Sequence, residues 1–288
     1  MSRFHTDRTM SPWRKVALST WTNGPEASIY GWIDVDATNL LARVEALRAS
    51  SGARVTATHL VGKAAAMAIS ETPSANAIVS LGRVRQRESV DVFFSVATDG
   101  GKGLAGQKLR HVDHMTVVDI ARALDKHVDR IRGDRDTPLQ RSQRTLMRLP
   151  SPVVRAAMHA VGVATFDLGL DLERWGIPAD PFGSVVVTNV GVLGIEQGFG
   201  PLIPHGRTAA LLTVGKIRDR VVAIAGEPVV RPMLTLGGTF DHRIVDGHAL
   251  GKIGARIREL LEESAADADA PPISEAGERI AVSAASWS

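Results

Sequence analysis

Residues 239–247, Thr-Phe-Asp-His-Arg-Ile-Val-Asp-Gly, gather the side chains best suited to moving a proton. His242 follows an apolar run, MLTLGGTF (233–240), that reads as a strand, and Gly247 precedes a helical pattern over about 248–262. A histidine at a strand end is held firmly yet can face a channel, and its ordinary pKa of roughly 6.5 suits proton transfer. Asp246, four residues on, can cap the helix or fix the loop through an arginine. Gly247 permits a tight turn or a close approach by a ligand. Taken alone, His-x-x-x-Asp-Gly is better read as a hydrogen-bonded loop histidine beside a capping aspartate, so the surroundings must decide.

Those surroundings mix strands and helices without strict alternation. SIYGWIDV (28–35) alternates as a strand, and Asp36 can cap a helix to about residue 50, with Leu40, Leu41, Val44 and Leu47 on one face. Thr56 or Thr58 opens a second helix, apolar almost all round and hence buried. Residues 76–98 read as two or three strands, with SVDVFFSVAT (89–98) the clearest. Gly100 to Gly103 lack P-loop spacing and read as a hairpin turn. Thr116 and Asp119 form a capping-box pattern ahead of another helix. After Pro181 the pattern is β: GSVVVTNVG (183–191), TAALLTVG (208–215), a hairpin over 220–231 turning at Gly226-Glu227-Pro228, and the strand that leads to His242. The expectation is an α/β or α+β layered domain on a mixed sheet, spanning 1–263, with a mobile tail over 264–288.

Composition narrows the chemistry. The 288 residues carry 34 Lys+Arg and 31 Asp+Glu, a formal charge of +3, with 44% hydrophobic residues and no cysteine. A disulfide scaffold, a thiolate metal site and a cysteine nucleophile are excluded. The small charge, one Tyr and seven Phe argue against nucleic acid as a partner. No run is long and apolar enough for a membrane span, and a cytoplasmic setting is expected. Residues 130–155 hold seven arginines against two aspartates. This stretch is most simply a solvated helix face. Its functional reading is a dock for an acidic carrier, coenzyme A phosphates or a lipid surface. His111-x-x-His114 has a metal-like spacing without a third ligand nearby and reads as loop histidines, so no metal is expected.

The chain resembles the catalytic domains of the dihydrolipoyl acyltransferases of 2-oxoacid dehydrogenase complexes. Phe-Asp-His-Arg-Ile-Val-Asp-Gly (240–247) is close to that family's signature, and GSVVVTNVGVLG (183–194) is similar to its Gly-x-x-Thr-Ile-Ser-Asn-Leu-Gly segment. TAALLTVGKI (208–217), SVDVFFSVATDGGKGL (89–104) and SPWRKVAL (11–18) resemble further parts in the same order. The resemblance covers roughly 10–132 and 181–262, leaving 133–180 as a basic and apolar insertion.

That resemblance implies a chloramphenicol-acetyltransferase-like fold and a homotrimer with active sites in channels between subunits. It implies coenzyme A or acyl-coenzyme A as substrate and a dihydrolipoyl-like thiol as acceptor. His242 is then the general base, Asp246 a loop-holding residue, and Arg14 its ion-pair partner. Thr188, where the family has serine, becomes the hydroxyl donor to the oxyanion. Gln107 and Lys108 replace apolar residues of the family's channel. No lipoyl-carrying segment is read in the chain, so the acceptor is expected in solution or on a lipoyl or acyl-carrier protein in trans. The alternatives are transfer to a hydroxyl or amine of a small molecule, and a non-catalytic trimeric scaffold.

Overall fold

The computed structural model describes residues 27–98, 103–132, 150–172, 177–178 and 180–264. Strand β1 (Ser28–Asp36) runs into helix α1 (Ala37–Ser51). Asp36 caps α1 by accepting the Thr38 N–H at 2.9 Å, and Gly52, at φ 66°, ends it. Leu40 and Val44 are buried from α1, whereas Leu41 is exposed, at the edge of the expected apolar face. Helix α2 (Ala57–Ser70) starts at Thr56 with a capping box closed by His59, whose Nδ1 accepts the Thr56 N–H at 3.2 Å. Gly62 of α2 is required where it stands: a Cβ there would lie 2.3 Å from the Phe94 ring.

Next come the small hairpin β2 (Ala77–Ser80) and β3 (Arg83–Gln86), then the paired strands β4 (Val92–Thr98) and β5 (Gly103–Leu109). Residues 99–102, between β4 and β5, lie outside the described residues. Helix α3 (Val117–Arg132) begins at the expected Thr116–Asp119 box, where the Thr116 hydroxyl accepts the Asp119 N–H at 3.1 Å. Helix α4 (Ser151–Gly162) continues into a π-turn over Val163–Asp167. Strands β6 (Val185–Asn189), β7 (Ala210–Val214), β8 (Arg218–Ile224) and β9 (Glu227–Asp241) precede the final helix α5 (Gly247–Glu262).

Seven strands form one mixed sheet in the order β1-β9-β7-β6-β4-β5, with β8 also paired to β9. β7, β6 and β4 run parallel, and the other pairings are antiparallel. One face carries the main core, in which Val35, Phe94, Val187, Leu212 and Leu234 meet Leu60, Ile120 and Ile253 of the helices. On the opposite face Phe93, Val186 and Leu211 pack with Phe182 and Leu202 in a second, smaller cluster. Tyr30 and Trp32 alternate outward from β1 on that second face and stay exposed.

Two expectations are corrected in the β8–β9 region. The hairpin turns at Ala225-Gly226, not at 226–228, and both residues have positive φ, 51° and 89°. Such a two-residue turn matches strand twist, which fixes the register. The strand expected at 233–240 is also the second half of one 15-residue strand that runs through Pro228 and Pro232. The sheet tolerates both prolines because the β1 ladder begins only at Met233, opposite Asp36, leaving the first half of β9 at an edge.

Candidate active site

The turn after β9 is built by Asp241. Its carboxylate accepts the Arg243 N–H at 3.0 Å, Nε at 2.9 Å and Nη2 at 2.6 Å. Its carbonyl accepts the N–H groups of Ile244 and Val245, both at 2.9 Å. Val245 is fully buried and anchors the turn in the core, while Arg243, paired to Asp241, is held above its ordinary pKa by those hydrogen bonds. The sequence reading passed over this clamp. An aspartate two residues before an arginine at a strand end was the available signal, since Asp side chains readily bond the backbone two residues on.

His242 is gripped at two points. Its N–H donates to the Ala27 carbonyl at 2.6 Å, and its Nδ1 lies 3.1 Å from the Val245 carbonyl. A carbonyl only accepts, so the hydrogen on the neutral ring must sit on Nδ1. Among the described residues Nε2 has no hydrogen-bond partner, which leaves its lone pair open on an exposed ring. The tautomer follows from the partner, and it is the one a general base needs. Asp246 lies in the same turn. Its carboxylate accepts the Ala249 N–H at 2.8 Å and caps α5. Arg14, its expected partner, lies outside the described residues.

Thr188 is elsewhere. It sits near the end of β6, half-buried, opposite Thr213 of β7, which in turn stands opposite Gly237 of β9. His242 comes five residues after Gly237. At about 3.3 Å per residue and about 4.8 Å per strand, Thr188 and His242 are roughly 19 Å apart within one chain. Asn189, beside Thr188, fixes the strand end: its Nδ2 donates to the Thr58 hydroxyl at 2.9 Å and its Oδ1 accepts the Val192 N–H at 3.3 Å.

The remaining expected residues have separate roles. Lys108 pairs with the buried Asp91 at 3.3 Å, and the Gln107 side chain donates to the Lys108 carbonyl at 3.0 Å. His111 and His114 are exposed, and among the described residues no group of three or more His, Asp or Glu forms a metal site. His248 is an exposed first-turn residue of α5. Arg141, Arg144 and Arg148 lie outside the described residues. The described part of the basic insertion is tied down. Asp167 bonds Arg207 at two 2.6 Å contacts and the Ser80 hydroxyl at 2.9 Å, which hold its carboxyl down at about 2. Asp180 pairs with Arg87 at 2.8 Å. His159 of α4 stacks edge-on near His205, and burial lowers the His205 pKa.

An exposed histidine, fixed by its own turn with Nδ1 on a carbonyl, thus stands at the end of a long strand of an α/β layered domain. The family model for the 2-oxoacid dehydrogenases acyltransferase (catalytic domain) matches residues 4–147 and 182–266, most of the chain, and the protein belongs to that family. The match leaves 148–181 between its two segments. The human dihydrolipoyllysine-residue succinyltransferase component of the 2-oxoglutarate dehydrogenase complex is 27% identical over 203 residues, 70% of this chain and 35% of that protein. The acetyltransferase component of the Bacillus subtilis pyruvate dehydrogenase complex is 24% identical over 265 residues, 90% of this chain and 50% of that protein. The chain thus spans between a third and a half of these two relatives' length. Among solved structures, a probable dihydrolipoamide acetyltransferase from Listeria monocytogenes superposes with a TM-score of 0.64 at 20% identity, covering 91% of this chain and 96% of that one. The cubic core of a pyruvate dehydrogenase multienzyme complex gives 0.62 at 21% identity, over 86% of each chain. The fold is therefore that of the family's catalytic cores, with the expected mixed sheet and flanking helices.

Proposed function

We propose that the protein moves an acyl group between coenzyme A and a dihydrolipoyl-like thiol. The observation that carries this reading is the His242 ring, held by Nδ1 on the Val245 carbonyl with Nε2 open, in a chain of this family. Nε2 takes the proton of the acceptor thiol. The thiolate attacks the thioester carbonyl carbon, and the carbonyl electron pair becomes an oxyanion stabilised by the Thr188 hydroxyl. When the tetrahedral intermediate collapses, the carbon–sulfur bond to coenzyme A breaks. The departing thiolate takes the proton back from His242.

With Thr188 and His242 far apart in one chain, the site is complete only when His242 of one copy meets Thr188 of another. A closed ring of three copies related by heterologous contacts gives three such sites, so we assign a homotrimer. The exposed Tyr30, Trp32 and Phe199 on the outer sheet face support burial against another copy. A reducing cytoplasm keeps such a dithiol acceptor ready. The test is to incubate purified protein with acyl-coenzyme A and dihydrolipoamide and to separate free coenzyme A and acyl-dihydrolipoamide from the substrates by chromatography, since total free thiol does not change. Release of coenzyme A that depends on dihydrolipoamide is the expected result. Transfer to alcohols or amines alone, or no transfer by a folded trimer, overturns it.

A further inference from the structure

We propose that Ser95 is a second hydroxyl donor to the same oxyanion, completing a two-hydroxyl hole with Thr188. This rests on the acyl-transfer reading above. Ser95 of β4 stands directly opposite Thr188 of β6 in a parallel ladder. Opposed residues on neighbouring strands share a face, and the strands lie about 4.8 Å apart. Both residues are half-buried on the sheet face away from the main helical core. Among the described residues, neither hydroxyl has a hydrogen-bond partner.

The rest of the row shows why this pair stands out. Thr213, next in register, already directs its hydroxyl at the Gly198 and Gly237 carbonyls. The segment at Gly198 closes that end of the row, since a Cβ on Gly237 would lie 2.2 Å from the Gly198 oxygen. At the other end Gly106, opposite Ser95, is covered by the Phe93 ring, 2.2 Å from where its Cβ would be. The two open hydroxyls therefore sit side by side between an aromatic wall and a backbone wall. Hydroxyls carried at paired positions on strands about 4.8 Å apart can both reach one oxygen lying between them, and a tetrahedral oxyanion has lone pairs for both. The donors are set by strand register, so little reorganisation is needed as charge develops.

The experiment measures kcat and KM for acyl-coenzyme A in wild type, Ser95→Ala, Ser95→Thr, Thr188→Val and the Ser95→Ala/Thr188→Val pair, with melting temperatures alongside. Ser95→Ala is expected to lower kcat about 10- to 100-fold with KM changed less than about twofold, because the lost bond forms only in the transition state. Ser95→Thr keeps a donor and is expected to retain most of kcat, which separates loss of the hydroxyl from disturbed packing. The double variant is expected to fall short of the product of the single effects, since both donors serve one oxygen. Wild-type kcat in Ser95→Ala beside an impaired Thr188→Val overturns the role of Ser95 and leaves that of Thr188 standing. A raised KM at unchanged kcat also overturns it, because Ser95 would then contact bound substrate only. Wild-type kcat in both single variants overturns the shared oxyanion site, and this proposal with it.

Discussion

Thr188 and His242 belong to one sheet but cannot meet in one chain: the register places Thr188 level with Gly237 two strands away, five residues short of His242. Rotating either side chain spans only a fraction of the roughly 19 Å between them. The proposed acyl transfer requires two copies to share each site, and this can be tested without a structure of the assembly. Inactive His242→Ala and Thr188→Val chains, unfolded together and refolded at equal amounts, are expected to recover about a quarter of wild-type activity, because a quarter of randomly assembled interfaces pair two intact residues. Refolding each variant alone gives the baseline. No recovery in the mixture means that Thr188 and His242 do not serve one shared site.

His242→Ala is expected to lower turnover about 10²- to 10⁴-fold, with melting close to wild type, since the ring is exposed and only proton transfer is lost. Steady-state kinetics beside a thermal melt check this. A folded variant with normal turnover removes His242 as the base.

Thr188→Val is expected to lower kcat about 10²- to 10³-fold, the usual cost of one oxyanion donor. Thr188→Ser keeps the donor and should be tolerated. Equal kcat in Val and Ser variants assigns the hydroxyl no part in the chemistry.

Asp241 and Asp246 separate orientation from capping. Asp246→Ala should cost about 1 kcal/mol of stability, the ordinary value of a cap, whereas Asp246→Asn keeps a capping oxygen and should melt near wild type. Asp241→Ala removes the acceptor for three Arg243 donors and frees the turn. Its expected mark is a kcat loss of about tenfold or more, because the base is no longer held in position. Denaturant unfolding paired with kinetics distinguishes the two. If Asp241→Ala loses stability but no kcat, the clamp serves the fold alone.

His59 should make stability depend on pH. Burial beside Phe94 lowers its pKa to about 4, against 6.5 in the unfolded chain. Below pH 6.5 the unfolded state binds the proton that the folded state refuses, so its contribution is intact above that value, falls as the pH drops, and levels off below about 4. The melting temperature is expected to decline between pH 6.5 and 4, and less steeply in His59→Gln, which preserves the capping box. Identical slopes in the two proteins refute the assignment.

Much of this protein was legible in the sequence because it is encoded locally. Asp36, Thr56 and Thr116 announce helix starts, and Gly52 a helix end, through hydrogen bonds within a few residues. The residues around His242 and Thr188 carried the family on their own. What a linear reading missed depends on partners distant in sequence. The single long β9 arises because β8, β7 and β1 each pair with part of it, overriding the break that Pro232 suggests. The tautomer of His242 is decided by a carbonyl that the Asp241–Arg243 clamp brings within reach. The separation of Thr188 from His242, and the nearness of Thr188 to Ser95, follow only from strand order and register. Residue types and spacing named the chemical groups. Long-range pairing alone, which no local propensity encodes, decided which of them can act on the same atom.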